Sequence, residues 1–218
     1  MQKVVILGAG GLARETALVF DHCNQVNPKW EVLGYVDEDP DHHGKVLSGR
    51  PVLGDFKWFE QVDRSSVRVI TAVGSPVVRK KLVNRAKEKG LAFCSVVHPN
   101  VIMSRFIEMG EGVVITAGNI LTVDIRLGNY VFLNLDCTVG HDTIIEAYCN
   151  VAPGAHISGN VYMGEGVDLG TGAVVLQGKR IGAWSIIGAG AVVTTDVPER
   201  VTAVGIPARA IKSHPPAK

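Results

Sequence analysis

The second half of the sequence carries an aliphatic residue at every sixth position, without interruption, from Val97 to Val193. An amphipathic helix repeats about every 3.6 residues and a half-buried strand every two, so neither produces this spacing. A parallel β-helix of triangular cross-section does, because three six-residue segments make one coil and the repeated aliphatic side chains stack inside it. The seventeen positions are Val97, Met103, Met109, Ile115, Leu121, Leu127, Leu133, Val139, Ile145, Val151, Ile157, Met163, Leu169, Val175, Ile181, Ile187 and Val193.

Small residues recur beside this repeat. Glycine often follows the aliphatic position, as at Gly110 and Gly182, and a small or β-branched residue often stands four positions after it, as at Val113 and Ala173. Both patterns fit tight corners between short strands. Residues 97–198 hold 17 segments, between five and six coils of 18 residues. Such repeats resemble those of left-handed β-helices, and we predict this fold over residues 96–200, followed by a tail at 201–218.

A glycine-rich turn lies near the start of the chain. Val4–Leu7 predicts a buried strand, Gly8–Gly11 a turn and Leu12–Phe20 a helix. The segment fits the pattern GxGxx(G/A), in which glycines let the backbone approach a diphosphate at the N-terminus of the helix. The pattern serves any nucleotide diphosphate, and it also occurs as a purely structural turn without a ligand.

Two further apolar runs, Val32–Val36 and Val67–Val73, end in Asp37 and Gly74, and a charged helical stretch then reaches Gly90. This alternation predicts a small parallel sheet with flanking helices, a Rossmann-like α/β domain over residues 1–95. A carboxylate that closes the second strand can hold ribose hydroxyls. A nicotinamide-dependent enzyme is therefore one alternative, although the domain is short and no second mononucleotide-binding half follows it.

Composition and charge exclude several other classes. Hydrophobic residues make up 46% of the chain and charged residues 20%, as in globular rather than disordered proteins. A net charge of +1 leaves no broad basic surface for nucleic acid. No apolar run approaches the roughly 18 to 20 residues of a membrane span, and the N-terminus lacks the features of a signal peptide. We expect a cytoplasmic protein.

Cysteines and histidines predict neither disulfides nor a metal site. The four cysteines form no CxxC motif, and Cys137 and Cys149 fall at small positions of the repeat, so we expect buried free thiols. His141 and His156 differ by 15 positions rather than 18, so they do not stack on adjacent coils. We predict that no metal is bound.

The polar segment Asn134–Asp142 contains the best candidate for chemistry in the solenoid. A coil of 18 residues places Gly159 in the column of His141, so a residue without a side chain lies directly over the imidazole. This arrangement predicts open space for a substrate beside the ring. The neighbouring column through Asp142 is also polar and includes Asp124.

The whole chain resembles the bacterial sugar acyltransferases that join a small Rossmann-like nucleotide-sugar domain to a left-handed β-helix. That family includes sialic acid O-acetyltransferases, and the sequence is more similar to the UDP-4-amino-sugar N-acetyltransferases of the bacillosamine pathway. Its specificity comes from the front domain combined with Gly140-His141-Asp142 and the ending 205–209, Gly-Ile-Pro-Ala-Arg. Coverage runs from residue 3 to about 211, and the other matching stretches are 6–11, 34–37, 72–75, 97–99, 134–140, 153–155 and 158–161.

The resemblance implies transfer of an acetyl group from acetyl-CoA, a co-substrate rather than a bound cofactor, to the 4-amino group of a UDP-linked amino-dideoxy sugar. It implies that His141 is the general base, that Asp142 supports it and that Asn134 lies near the acceptor amine. Asn150 stands where the family has a second histidine facing the thioester, which leaves its role open. The family also forms homotrimers, with active sites in the clefts between prisms.

The resemblance and the motifs together give a set of site residues. Neighbours in an extended strand point to opposite faces, so Asp142 reaches His141 only where the chain bends; otherwise Glu146 or Asp136 orients the ring. Two other functions stay open, an O-acetyltransferase acting on a sugar hydroxyl and a non-catalytic nucleotide-sugar-binding protein. We expect the sugar nucleotide to contact Gly8, Gly10, Gly11, Asp37, Gly74 and Asn134, and acetyl-CoA to contact Asn150, Gly159, Ala189, Gly190 and Arg209.

Overall fold

The structure, a computed structural model, describes residues 1–215 and divides into two compact units, Met1–Pro99 and a second that begins at Asn100. No helix in this part of the chain is long and apolar enough to cross a membrane. The first unit contains β1 (Gln2–Leu7), α1 (Gly11–Val26), β2 (Trp30–Val36), β3 (Val46–Leu47), β4 (Arg50–Gly54), β5 (Val67–Thr71), α2 (Pro76–Glu88), β6 (Ala92–Phe93) and β7 (Val96–Val97), with short 3-10 helices at Pro40–His42, Phe56–Glu60 and Arg64–Ser66.

The sheet of the first unit has the order β3-β4-β2-β1-β5-β6, and all neighbours except β3 and β4 are parallel. β1 lies at its centre, because Val4–Leu7 are apolar at every position and fully buried, as a strand covered on both faces requires. The predicted strand, glycine turn and helix at the start of the chain are confirmed, as are the later parallel strands, although β5 ends at Thr71 rather than Val73.

The two helices begin in different ways. α1 follows the glycine turn with Gly10 at its N-cap, which has no side chain to cap the helix, and buries Ala13, Ala17 and Phe20. α2 begins after Ser75, whose hydroxyl accepts the N–H of Val78, and has proline in its first turn. Only α1 therefore leaves the N–H groups of its first turn without a side-chain acceptor at the N-cap.

A hairpin formed by β3 and β4 is absent from the sequence prediction. Its turn consists of Ser48 and Gly49, which both have left-handed backbones, with φ of 46° and 78°. Such two-residue turns match the twist of paired strands, and Ser-Gly is a turn signal. The signal was not sufficient, because β3 has only two residues and shows no alternation.

The second unit is a solenoid of short parallel strands, in which strands 18 residues apart are paired, as Leu121 is with Val139 and Val139 with Ile157. Its strands are β8 (Ile102–Met103), β9 (Ile107–Met109), β10 (Val114–Ile115), β11 (Ile120–Leu121), β12 (Ile125–Leu127), β13 (Phe132–Leu133), β14 (Thr138–Val139), β15 (Ile144–Ile145), β16 (Asn150–Val151), β17 (His156–Ile157), β18 (Tyr162–Met163), β19 (Asp168–Leu169), β20 (Val174–Val175), β21 (Arg180–Ile181), β22 (Ile186–Ile187), β23 (Val192–Val193), β24 (Val201–Val204) and β25 (Arg209–Ser213).

Three sheets make the three faces of this solenoid. The first face is β10-β13-β16-β19-β22-β24, the second is β8-β11-β14-β17-β20-β23 and the third is β9-β12-β15-β18-β21. Successive strands along the chain pass from one face to the next, so each group of three closes one coil. The predicted left-handed parallel β-helix is confirmed.

The aliphatic repeat forms the core of the solenoid. Every member from Ile115 to Val193 is at most 2% exposed, and Cys137 and Cys149 are buried beside them as free thiols. Burial raises the pKa of the Cys137 thiol to about 11. The prediction is wrong for Met103 and Met109, which are exposed because β8 and β9 belong to the first coil and, among the described strands, pair only with β11 and β12.

The corners follow a rule that the sequence analysis missed. In every segment from Gly112 to Gly190, the third residue after the aliphatic position has a left-handed backbone, with φ between 54° and 77°. The glycines that directly follow the aliphatic positions have another purpose, since a Cβ on Gly128 would lie 2.5 Å from the backbone nitrogen of Ala147 in the next coil. The non-glycine residues in left-handed conformation at these corners are Asp124, Tyr130, Asp136, Asp142, Tyr148, Asn160 and Trp184.

The last coil ends in a closing hairpin. β24 pairs in parallel with β22, and β25 then folds back antiparallel on β24. All five residues of β25 are exposed, and two of them, Arg209 and Lys212, are cationic. The parallel stacking of the solenoid therefore stops at a short strand of opposite direction.

Candidate functional site

His141 lies at the corner between β14 on the second face and β15 on the third face. Asp142 is the left-handed residue of this corner, with φ of 58°. Because the backbone reverses its course there, the side chains of consecutive residues can meet, which an extended strand would prevent. Both side chains are more than half exposed, His141 at 52% and Asp142 at 61%.

The imidazole of His141 is held by the carboxylate that follows it. Its Nδ1 lies 2.7 Å from Oδ2 of Asp142. An ionised carboxylate only accepts hydrogen bonds, so Nδ1 carries the proton and donates it, while Nε2 keeps its lone pair. Of the three carboxylates considered for this role, the structure brings only Asp142 to the ring, since Asp136 and Glu146 occupy the other two corners of their coil.

Gly159 lies beneath the imidazole in the next coil, as the 18-residue column predicts. A Cβ built on Gly159 would be 2.5 Å from Nε2 of His141 and 2.7 Å from Cε1. The expected open space above this glycine is therefore filled by the His141 ring itself. The correction has a simple cause: the left-handed corner turns the ring along the solenoid axis, and glycine is what allows it to lie there.

Asn134 and Asn150 lie away from this corner. Asn134 is at the preceding corner, where its Oδ1 accepts the N–H of Leu135. Asn150 points outward from the first face and donates through Nδ2 to Oδ1 of Asp168, 2.8 Å away. Within one chain the structure therefore does not bring either amide to the imidazole of His141.

The remaining predicted acetyl-CoA residues of the solenoid meet at its last coil. Ala189 and Gly190 form a corner there, and a Cβ on Gly170 would lie 2.6 Å from the Ala189 nitrogen. Ala208, directly before Arg209, donates its N–H to the carbonyl of Val192 at 2.7 Å. Ala189, Gly190 and Arg209 thus share one end of the solenoid.

The glycine turn of the first unit lies at the carboxyl end of the central strand. Gly8 has φ of +110°, and a Cβ there would meet Cγ1 of Val73 at 3.0 Å and the carbonyl oxygen of Ala72 at 3.2 Å. The turn therefore needs glycine for both its conformation and its packing. The segment before Gly74 lies directly beside Gly8, so these two predicted parts of the site are together.

Asp37 is also brought to the glycine turn, but its carboxylate is occupied. Oδ2 accepts the N–H of Ala9 at 2.6 Å, and Oδ1 accepts the N–H of Asp39 at 2.9 Å. His42 adds a contact of 3.4 Å between its Nδ1 and Oδ1. In this structure the carboxylate supports the turn, whereas the sequence analysis expected it to bind ribose hydroxyls directly.

One residue near Gly74 was missed by the sequence analysis. Arg79 is 1% exposed and donates through Nε and Nη2 to the carbonyl of Val73, at 3.2 and 3.0 Å, and through Nη2 to that of Gly74 at 3.2 Å. The buried guanidinium fixes the loop that packs against Gly8. A single arginine in a charged helix carries no sequence signal of such a role.

Residues 1–215 contain no group of three or more His, Cys, Asp or Glu side chains that could hold a metal ion.

Known proteins resemble both units. Residues 3–86 match the family model of the PglD N-terminal domain. Over 96% of its length the chain is 30% identical to GDP-perosamine N-acetyltransferase of Escherichia coli O157:H7, and the match covers 96% of that protein.

Solved structures agree with this relationship along the whole chain. A histidine-to-asparagine mutant of perosamine N-acetyltransferase from Caulobacter crescentus, in complex with CoA and GDP-perosamine, has a TM-score of 0.90 and 32% identity over 97% of both chains. The acetyltransferase domain of PglB from Neisseria gonorrhoeae, in complex with acetyl coenzyme A, has a TM-score of 0.87 and 29% identity, over 96% of this chain and 99% of that one.

Proposed function

The chain belongs to the family of acetyl-CoA-dependent nucleotide-sugar N-acetyltransferases that join a PglD-type N-terminal domain to a β-helix, and from this premise we propose that it acetylates the 4-amino group of a nucleotide-linked amino-dideoxy sugar with His141 as general base. The observation that carries the proposal is the hydrogen bond of 2.7 Å from His141 to Asp142, which leaves Nε2 unprotonated. The reaction is placed in the cytoplasm.

The mechanism follows from the state of that nitrogen. The neutral sugar amine attacks the thioester carbonyl of acetyl-CoA and forms the C–N bond, while Nε2 of His141 takes the proton that the amine loses. The tetrahedral intermediate then breaks its C–S bond, and the imidazolium returns the proton to the sulfur of CoA. Asp142 stabilises the imidazolium in between, so no covalent acyl-enzyme is required.

The developing oxyanion needs a donor, a contribution of about 3 kcal/mol in other acyl transfers. A backbone N–H near Gly159 suits this role, because Gly159 lies directly against the His141 ring. The Asn150 amide is the second candidate, although within one chain it donates to Asp168. We place Asn150, Gly159, Ala189, Gly190 and Arg209 on the acetyl-CoA side, and Gly8, Gly10, Gly11, Asp37, Gly74 and Asn134 on the sugar-nucleotide side.

The nucleotide is proposed to be UDP, on the sequence resemblance to the bacillosamine enzymes. GDP is the second candidate, since the relative that matches the whole chain is a GDP-perosamine N-acetyltransferase. Both readings keep the same amine chemistry at His141. They differ only in the base that the first unit must accept.

The test is a screen of acetyl-CoA turnover against UDP- and GDP-linked 4-amino sugars, with CMP-sialic acid as a hydroxyl acceptor. Thiol release measures turnover, and mass spectrometry of the product, before and after mild base, distinguishes an amide from a base-labile ester. We expect a base-stable product from a 4-amino sugar. Turnover with CMP-sialic acid alone would identify an O-acetyltransferase, and no turnover with any acceptor would favour a nucleotide-sugar-binding protein.

A further inference from the structure

The first unit contains a groove that none of the predicted site residues except Gly11 touches. It lies between the exposed side of α1 and the hairpin of β3 and β4, and its volume is about 410 Å³. Small-molecule sites typically measure about 300 to 1,000 Å³. We call it the α1 groove, and the side chains that line it are Arg14, Glu15, Leu18, Asp21, Ser48 and Arg50.

One end of the α1 groove is rich in hydrogen-bond donors. The first intrahelical N–H of α1 is that of Arg14, which donates to the Gly10 carbonyl. The N–H groups of residues 11–13 therefore have no helical partner, and Gly10 offers no side chain to cap them. Nη2 of Arg14 lies 3.9 Å from the position of a Cβ on Gly11, so the guanidinium lies over the start of the helix.

Arg14 makes no ion pair or hydrogen bond through its side chain within the described residues, and the hydroxyl of Ser48 is equally free there. Arg50 differs, because its Nη2 is paired with the carboxylate of Asp21. One guanidinium is thus fixed in the wall of the groove and the other is available. Free donors around an uncapped helix start are suited to the oxygens of a phosphate.

A buried hydroxyl beneath the groove points independently to a ligand. Tyr35 of β2 is 0% exposed, and its hydroxyl has no hydrogen-bond partner. The charges that act on its pKa are Arg50, Asp21 and Arg14, all three of which line the groove, so the hydroxyl faces its floor. An unsatisfied buried hydroxyl costs free energy, which a ligand oxygen or a water held by the ligand would recover.

The other walls match the rest of a nucleotide. Glu15 lies on the rim and can accept hydrogen bonds from ribose hydroxyls, a role for which Asp37 is less available because it holds the glycine turn. Leu18 is 51% exposed and offers an apolar surface to a base. Free phosphate would use only the donor end, whereas this combination of donors, carboxylate and apolar surface fits a nucleoside diphosphate.

Resting on the proposed function, we infer that the α1 groove binds the nucleoside diphosphate of the acceptor, with Arg14 on the phosphates and the Tyr35 hydroxyl at the floor. Arg14 and Tyr35 are then further binding residues of the same substrate. Both lie outside the glycine motif from which the nucleotide site was predicted.

Calorimetric titration with UDP and GDP tests the role of Arg14. Because hydrogen bonds to charged groups contribute about 1.5 to 3 kcal/mol, Arg14→Gln should weaken binding of whichever nucleotide the wild type prefers by at least about tenfold. It should also raise the KM of the sugar nucleotide and leave that of acetyl-CoA unchanged. Lys3→Gln, which removes an exposed cation at the amino end of β1, is the matched control and should bind as wild type.

Tyr35→Phe gives a second test with two readouts. Removing an unsatisfied hydroxyl should raise the Tm of the free protein, and under the proposal it should also weaken nucleotide binding several-fold. A raised Tm with unchanged affinity, together with wild-type affinity of Arg14→Gln, would overturn the groove as a nucleotide site while acetyl transfer by the wild type keeps the proposed function. A wild type that binds neither UDP nor GDP overturns both.

Discussion

Nε2 of His141 lies 2.5 Å from the position that a Cβ would occupy on Gly159. The glycine is therefore a condition for the orientation of the imidazole. Gly159→Ala would meet only the movable end of a side chain, so we expect the ring to be displaced from its hydrogen bond with Asp142 while the coil stays intact. The expected result is a fall in kcat of at least about tenfold, with little change in Tm.

A second glycine of the same coils serves as the contrast. A Cβ on Gly140 would lie 2.5 Å from the backbone nitrogen of Gly159 and 2.7 Å from the Ser158 carbonyl carbon. Because backbone cannot yield as a side chain can, Gly140→Ala should lower Tm clearly. Steady-state kinetics and thermal melts of both variants check the pair, and equal kcat in Gly159→Ala and wild type would contradict our account of the ring.

His141→Ala removes the proposed general base. We expect kcat to fall by on the order of 10² to 10⁴, with sugar-nucleotide affinity nearly unchanged, because the base acts in the transition state. His156→Ala is the matched control, since His156 is an outward-facing histidine of the second face bonded to Thr138. Turnover of His141→Ala at the wild-type rate, measured by thiol release, would remove this residue from the chemistry.

Asp37→Ala tests the assignment of the glycine turn to the sugar nucleotide. Loss of the 2.6 Å hydrogen bond to the Ala9 N–H should loosen the turn, raise the KM of the sugar nucleotide and leave the KM of acetyl-CoA unchanged. Calorimetry should show no binding of NAD or NADP to the wild type. An effect on acetyl-CoA that spares the sugar would mean that the two substrates are placed in reverse.

The outward positions of the second face predict self-association. Four of its six side chains are aliphatic, Ile102, Ile120, Val174 and Val192. Closed cyclic assembly buries such flat faces, so we expect a homotrimer with a mass of about three times 23.3 kDa in sedimentation velocity. A monomer at micromolar concentration would contradict this expectation and the location of the sites between subunits.

A histidine pair makes the first unit sensitive to acid. Nε2 of His98 lies 2.7 Å from Nδ1 of His22, and burial, followed by the charge of His22, lowers the pKa of His98 from its ordinary value of 6.5. The unfolded chain then binds the proton at a higher pH than the folded chain does. The stability contributed by neutral His98 is complete above about pH 6.5 and is lost as the pH falls below that value, until the folded pKa is passed.

Thermal melts between pH 5 and 8 check this sign. His98→Gln should flatten the slope of Tm against pH below about 6.5, since its side chain does not titrate. His43→Gln, at an exposed histidine of the same unit, should keep the wild-type slope. A slope that survives in His98→Gln would assign the acid sensitivity to another group.

The solenoid could be predicted because its repeat is a direct result of packing: every inward position must be aliphatic, and six residues separate one from the next. The same arithmetic placed Gly159 on His141. It could not give the direction of the ring, which depends on the left-handed backbone of Asp142. Nor could it show that Met103 and Met109 lie at an uncovered coil, since burial depends on neighbours that the repeat does not specify.

The first unit was predictable in its strand, turn and helix, where local apolar runs and glycine decide the structure. Arg79 and Tyr35 were not, because their roles arise from residues brought together by tertiary packing. Asp37 was located correctly beside the glycine turn, but its hydrogen bonds depend on loop geometry that no spacing reports.

The closing hairpin determines how this protein behaves in concentrated solution. A stack of parallel strands is a template that could grow by end-to-end addition of further chains, as fibrils do. Here the last edge belongs to β25, which runs in the opposite direction and carries Arg209 and Lys212. Like charges on approaching molecules repel, and the reversed strand offers no matching parallel partner, so the molecule can keep the geometry of a fibre without polymerising into one.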